Sequence, residues 1–362
     1  MSWYGIDAAD RAFSRTRKAL FEPFDFWKWV KLAIIIFLLG GAASNYGGSG
    51  TNYRTGSEDF GNNFPGIGPG QMPEFPFGTD EIGLGYIQSV STSTIVIAAI
   101  VFIILLALIF SYISSVMEFV FVESLVRNEV KFWAYSRRFL QKGFYLLMVR
   151  LALGLAFLVF FGIALIPFIP AILKSPSDFA WPAMLGGIFW IIGIISVLLI
   201  LAAAINSFLS LAIPISIYRN KGILPALGIV YGNFRRSWKE IVVYWFIRFM
   251  LGIGIAILAI FIFGLVLLVL GLVFLIIDAI LYFLFSSLVS EPLLWILLVP
   301  FIIIELILIL GTVFFLNVPL GVFLKYHLLS FLEAWFADAD IPFFDAPAEK
   351  AETGFSEPEP GF

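Results

Sequence analysis

The sequence contains no cysteine and a single histidine, His327, among 362 residues. Without cysteine there is no disulfide framework, no thiolate metal site and no thiol nucleophile, and one imidazole cannot build a histidine-rich metal site. Charge is scarce as well: Asp, Glu, Lys and Arg make up 13% of the chain, against about 25% in soluble domains. The signatures of soluble enzymes are missing, with no Walker loop, no HExxH and no Gly-x-Ser-x-Gly. Gly66-Ile67-Gly68-Pro69-Gly70 imitates half of a phosphate-binding loop but has no strand before it and no helix close behind. Asp338-Ala339-Asp340 imitates a metal-binding carboxylate pair but opens an acidic tail with no catalytic domain around it. The expectation is a protein that is not an enzyme and carries no cofactor.

What is present in excess is apolar. Hydrophobic residues account for 61% of the chain and the mean hydropathy is +1.00. Apolar runs longer than about 18 residues recur, each able to cross a hydrocarbon core of about 30 Å as a helix. Backbone groups find no water there, so the runs must be helices, and the short alternating segments of a membrane β-barrel do not occur. The fold class expected is all-α: a polytopic integral membrane protein with a helical membrane domain over residues 1–336.

The runs are organised by a repeat. Arg235 to Gly252 (RRSWKEIVVYWFIRFMLG) and Arg137 to Gly154 (RRFLQKGFYLLMVRLALG) share their spacing, with Arg137, Arg138, Arg150 and Gly154 falling on Arg235, Arg236, Arg248 and Gly252. A looser copy, Arg17 to Gly40, puts Lys31 in the position of Arg150 and Arg248. Each unit is a basic amphipathic segment followed by one cation at the mouth of an apolar run. Three repeated hairpins follow, and about six crossings. The spans expected are 26–43, 94–122, 144–166, 184–217, one within 241–289, and 293–325. The fifth region is too long for one ordinary span and leaves open one crossing with an extra surface piece, or two crossings. A short surface helix over residues 1–25, with Ile6, Ala9, Phe13 and Leu20 on its apolar face, precedes the first span. A second interfacial face is formed by Ile223, Leu227, Val230, Phe234 and Trp238. Residues 44–91 read as a flexible Gly/Pro-rich loop and 337–362 as a disordered acidic tail.

Charge orients the chain. With both termini and the basic pairs in the cytoplasm of a cell-membrane protein, only Arg54 and Lys174 of 22 Lys and Arg residues fall outside, as the positive-inside rule requires. Cations so close to membrane spans suit anionic lipid headgroups rather than nucleic acid. Lys31, Arg137, Arg138, Arg150, Arg235, Arg236 and Arg248 are the candidate headgroup contacts. Ionisable and amide groups inside spans are costly unless paired. Glu118, Glu123, Asn206, Asp278 and Glu305 are therefore the candidates for helix contacts or a transport path. Ion pairs between Glu118 or Glu123 and the repeat cations are the structural reading of the first two. Asn206 is read as an amide joining helices near mid-membrane.

LFEPFDFWKWVKLAIIIFLLGG (Leu20 to Gly41) and FLKYHLLSFLEAWF (Phe323 to Phe336) resemble a group of uncharacterised multi-pass membrane proteins common in archaea. In layout the chain is also loosely similar to the membrane domain associated with some bacterial glycerophosphodiester phosphodiesterases. The first resemblance implies no activity. The catalytic part of the second is a separate soluble barrel with no counterpart within these 362 residues. The functional expectation is a scaffold, an accessory subunit or a lipid-organising protein, with a protein partner or a second copy beside the lipid. The alternative is a permease or channel for a small solute or ion.

Overall fold

A computed structural model describes residues 4–40, 92–166, 181–336 and 341–345. Among them the secondary structure is helical: α1 (Tyr4–Leu20), α2 (Phe26–Leu38), α3 (Thr92–Val126), α4 (Phe132–Leu165), α5 (Trp181–Tyr218), α6 (Ile223–Arg236), α7 (Trp238–Ser286) and α8 (Glu291–Trp335). The chain divides into two units, Met1–Ser49 with Tyr112–Phe362, and Gly50–Ser111. In the second unit the described part is the beginning of α3, a helix whose apolar side chains from Val96 to Phe110 are largely exposed. The loop expected over 44–91 lies outside the described residues.

Among the described residues five helices are long and apolar enough to cross a membrane: those within α3, α4, α5, α7 and α8. α2 is described over 13 residues, about 20 Å of helix. The fifth apolar region is one uninterrupted helix of 49 residues, about 73 Å long, so no surface piece is broken off from it. α8 runs ten residues past Lys325 to Trp335, and Tyr326, Leu328, Leu329, Phe331 and Leu332 are buried. The expected end near Lys325 is therefore corrected.

The core of the larger unit gathers where basic residues are dense. It takes in the ends of α3 and α5, the beginnings of α4 and α7, and the last third of α8, roofed by α1 and α6. Backbone carbonyls left over at helix ends there are satisfied by side chains. Tyr326 Oη donates to Leu125 O at 2.8 Å, Lys142 Nζ to Ser216 O at 2.8 Å, and Trp29 Nε1 to Leu20 O at 3.0 Å. α3 and α4 approach closely at Gly143, where a Cβ would stand 2.9 Å from Val116 Cα. The repeat glycines Gly154 and Gly252 have nothing within 4 Å of a built Cβ.

One expectation is corrected at this end, and α1 carries a second face beside the one expected to lie on the membrane surface. Ile6 and Phe13 are 58% and 65% exposed and do not pack against the protein. The buried face of α1 is Gly5, Ala8, Ala12, Arg15, Thr16, Ala19 and Leu20, because small side chains let the helix lie close against α8. Residues 341–345 of the segment expected to be disordered are docked. Ile341 and Phe343 are buried, and Phe344 N–H donates to Val126 O at 3.0 Å. The rest of that tail, 337–340 and 346–362, lies outside the described residues.

Candidate functional site

The charged centre is built by three helices around Glu118. This residue sits two turns before the end of α3 and is 9% exposed. Arg150 of α4 pairs with its Oε2, and Lys325 Nζ of α8 stands 3.5 Å from its Oε1. Arg150 also donates to Ser115 Oγ at 3.3 Å. One turn nearer the end of α3, Glu123 is fully buried. It accepts from Arg127 Nε at 2.6 Å, Arg138 Nη1 at 3.3 Å and Tyr218 Oη at 3.1 Å. A charge taken out of water is tolerable only when paired and hydrogen-bonded, and both carboxylates meet that condition with two basic groups each.

The three cations aligned as repeat positions in the sequence meet three different environments. Arg150 is consumed by Glu118. Arg248 donates to Tyr244 Oη at 3.2 Å and to Leu324 O at 3.3 Å. Lys31 is exposed on α2 and has no hydrogen-bond or ion-pair partner among the described residues. Of the basic pairs, Arg138 binds Glu123, whereas Arg137, Arg235 and Arg236 are exposed and unpartnered among the described residues. Three exposed tryptophans accompany them, Trp27, Trp133 and Trp238, each in the first turn of α2, α4 or α7.

The remaining candidates lie apart. Asn206 is partly exposed on α5 without a hydrogen-bond partner among the described residues. Its neighbour Ser207 makes the contact instead, accepting from Trp245 Nε1 of α7 at 2.9 Å. Asp278 and Glu305 face one another across α7 and α8, close enough to interact. Asp278 Oδ1 is buried without a hydrogen-bond partner, and no Lys or Arg pairs with either residue among the described residues.

Three groups were not foreseen. Arg15 of α1, 7% exposed, bonds Ser330 Oγ at 2.9 Å, Glu333 Oε2 at 3.0 Å and Asp345 Oδ2 at 3.1 Å. Its guanidinium carbon also lies 3.7 Å from the centre of the Phe343 ring. Lys325 was read as the exit of a span, and its role as a partner of Glu118 depends on a contact across 207 residues. His327 is buried, its Nε2 3.3 Å from Gly5 O and its ring stacked on Tyr244. Only buried-face spacing on α8 could have marked Lys325 and His327, and that required knowing that the helix continues past Lys325, while Arg15 shares the small-residue face of α1 with Ala8, Ala12 and Ala19.

Chemically, the arrangement is two buried, neutralised carboxylates surrounded by further cations and exposed tryptophans. No curated protein and no solved structure matches the chain. Residues 3–341 match a family of unknown function, DUF7544; the chain, helical and with five apolar helices long enough to span a membrane among its described residues, belongs to that family.

Proposed function

We propose that this protein is a non-enzymatic membrane component that holds anionic lipid at its basic end and so serves as a lipid-organising scaffold or accessory subunit. One observation carries the reading: the buried carboxylates Glu118 and Glu123 are already matched by cations, while Lys31, Arg137, Arg235 and Arg236 remain exposed and unpartnered among the described residues. Near an anionic surface each such cation contributes about 1 kcal/mol. Trp27, Trp133 and Trp238 are the ring type enriched at headgroup depth.

In this reading α2–α3, α4–α5 and α7–α8 are three hairpins making six crossings. Their basic ends face the cytoplasm of the cell membrane, and both termini lie on that side. The starts of α2, α4 and α7 and the ends of α3, α5 and α8 contribute to one core, which supports the arrangement. Glycosylation-site or cysteine-accessibility mapping checks it: labelling of residues 1–3 from outside the cell would sink it.

The test of function is extraction from native membranes in mild detergent, with mass spectrometry of every protein and lipid retained. Anionic lipid in stoichiometric amount, with or without a protein partner, is the expected result. A protein that retains neutral and anionic lipids in their bulk ratio, and no partner, would overturn it.

The rival, a permease, is favoured by Asp278 and Glu305, which face each other without a matching cation among the described residues. Glu118 and Glu123 do not favour it, since each is bound by two basic groups and leaves no negative excess for a cation. Solute or ion flux in proteoliposomes, abolished by Asp278→Asn with Glu305→Gln, would establish the rival.

A further inference from the structure

The surplus cations are not equivalent, and one pair is built into a groove. An open cavity of about 620 Å³ lies between α2 and the connection from α3 to α4, lined by Lys31, Ile34, Val130, Lys131, Phe132, Trp133 and Ala134. Two ammonium groups stand over a floor that is otherwise apolar or aromatic.

The walls are fixed by contacts that do not use those ammonium groups. Lys28, one turn before Lys31, donates to Asn128 Oδ1 and to Ala19 O, both at 2.5 Å. This ties the connection and the end of α1 to α2. Asn128 adopts φ 55°, which turns the chain sharply after α3. Val130 is buried behind the groove, and Asp25 caps α2 by accepting from Trp27 N at 2.9 Å. Of two lysines a turn apart on α2, one is taken up by the frame and the other is left facing the cavity.

The charge neighbourhood includes one competitor. Lys131 Nζ lies 3.0 Å from Glu129 Oε2, with both side chains more than half exposed. A surface ion pair of this kind is worth about 0–1 kcal/mol, so a doubly hydrogen-bonded phosphate displaces it readily. Beyond Lys31 the apolar lining continues with the exposed Ile34, and further along α2 the half-exposed Phe37, its ring 4.7 Å from that of Phe314, extends an apolar track away from the ammonium groups.

We infer that this groove binds one anionic membrane phospholipid, its headgroup phosphate between Lys31 and Lys131, its glycerol region against Trp133 and one chain along Ile34 and Phe37. The proposal rests on the lipid-holding reading given above and narrows it to a single site. An open groove suits this ligand, because only the headgroup needs protein partners while the chains stay in the bilayer.

The test uses the full chain in nanodiscs made of equal parts phosphatidylglycerol and phosphatidylcholine, released for native mass spectrometry. Wild type retains phosphatidylglycerol preferentially. Lys31→Gln and Lys131→Gln each lower that retention about fivefold and together about thirtyfold, from about 1 kcal/mol per cation. Retained phosphatidylcholine is unchanged. Glu129→Gln, which removes the competitor and no cation, raises phosphatidylglycerol retention severalfold and serves as the arm that does not depend on a lysine variant folding. If the lysine variants or Glu129→Gln leave retention unchanged while Arg137→Gln/Arg235→Gln/Arg236→Gln lowers it, the groove is overturned and the broader reading stands. If wild type holds the two lipids equally, both fall.

Discussion

The basic end of the larger unit and the far part of the α7–α8 hairpin are made of nearly the same apolar residues, yet they are different kinds of structure. At the basic end Tyr244 stacks on Phe331 at 4.1 Å and on His327 at 5.4 Å. Phe331 continues onto Trp335, and Trp335 Nε1 donates to Ser237 Oγ at 2.8 Å. Beyond Arg248 the hairpin buries little besides Ala259, Leu294 and Leu298, and residues such as Phe261, Leu265, Phe283 and Ile296 are exposed. The difference teaches where specificity is needed. Helix ends leave carbonyls unpaired and gather charge, so each group there requires a particular partner. A helix interior satisfies its own backbone, and any apolar side chain serves against acyl chains.

Substitutions that remove partners at the basic end should therefore hurt, and comparable changes in the hairpin should not. The largest effect is expected for Glu118→Ala, which leaves Arg150 and Lys325 without their shared carboxylate. A loss of about 3–5 kcal/mol should appear in reversible unfolding of the reconstituted protein. Arg15→Ala comes next. It removes the charged hydrogen bonds to Glu333 and Asp345 and should cost about 2–3 kcal/mol. The same variant should make residues 341–345 cleavable by added protease. Gly143→Ala pushes a methyl against the Val116 backbone and should cost about 1–3 kcal/mol. Asp278→Asn with Glu305→Gln removes two acidic groups that no Lys or Arg pairs with among the described residues and should leave stability unchanged or raised; a loss as large as that of Glu118→Ala would erase the contrast. The smallest effect belongs to Gly252→Ala, in open space, where a change between zero and a gain of about 1 kcal/mol is expected. A marked loss there would mean that the repeat glycine packs against something in the membrane.

Sequence pattern revealed the helices because hydropathy alone specifies them. It also pointed to ion pairs of Glu118 or Glu123 with the repeat cations, of which Arg150 on Glu118 is one, whereas Glu123 takes Arg127 and Arg138 instead. It did not reveal the remaining partners. Lys325 and Tyr218 lie 207 and 95 residues from the carboxylates they touch, and no local spacing encodes such distances. The buried face of α1 went unread for a physical reason. Hydrophobic weight drew attention to Ile6 and Phe13, whereas the contact with α8 depends on closeness, which Gly5, Ala8 and Ala12 provide. The end of α8 was misplaced because a lysine in a run of apolar residues looks like an interface, and Lys325 is spent inside the protein.

Glu118 also imposes an order on synthesis. Arg150 follows it by 32 residues and Lys325 by 207. At about 5–20 residues per second the second cation emerges roughly 10–40 s after the carboxylate. During that interval Glu118 has Arg150 for a partner but not yet Lys325, while Arg138 on Glu123 also ties α4 to α3. α8 then brings the second cation to a carboxylate already in place, so the docking of that helix depends on charge as well as on hydropathy.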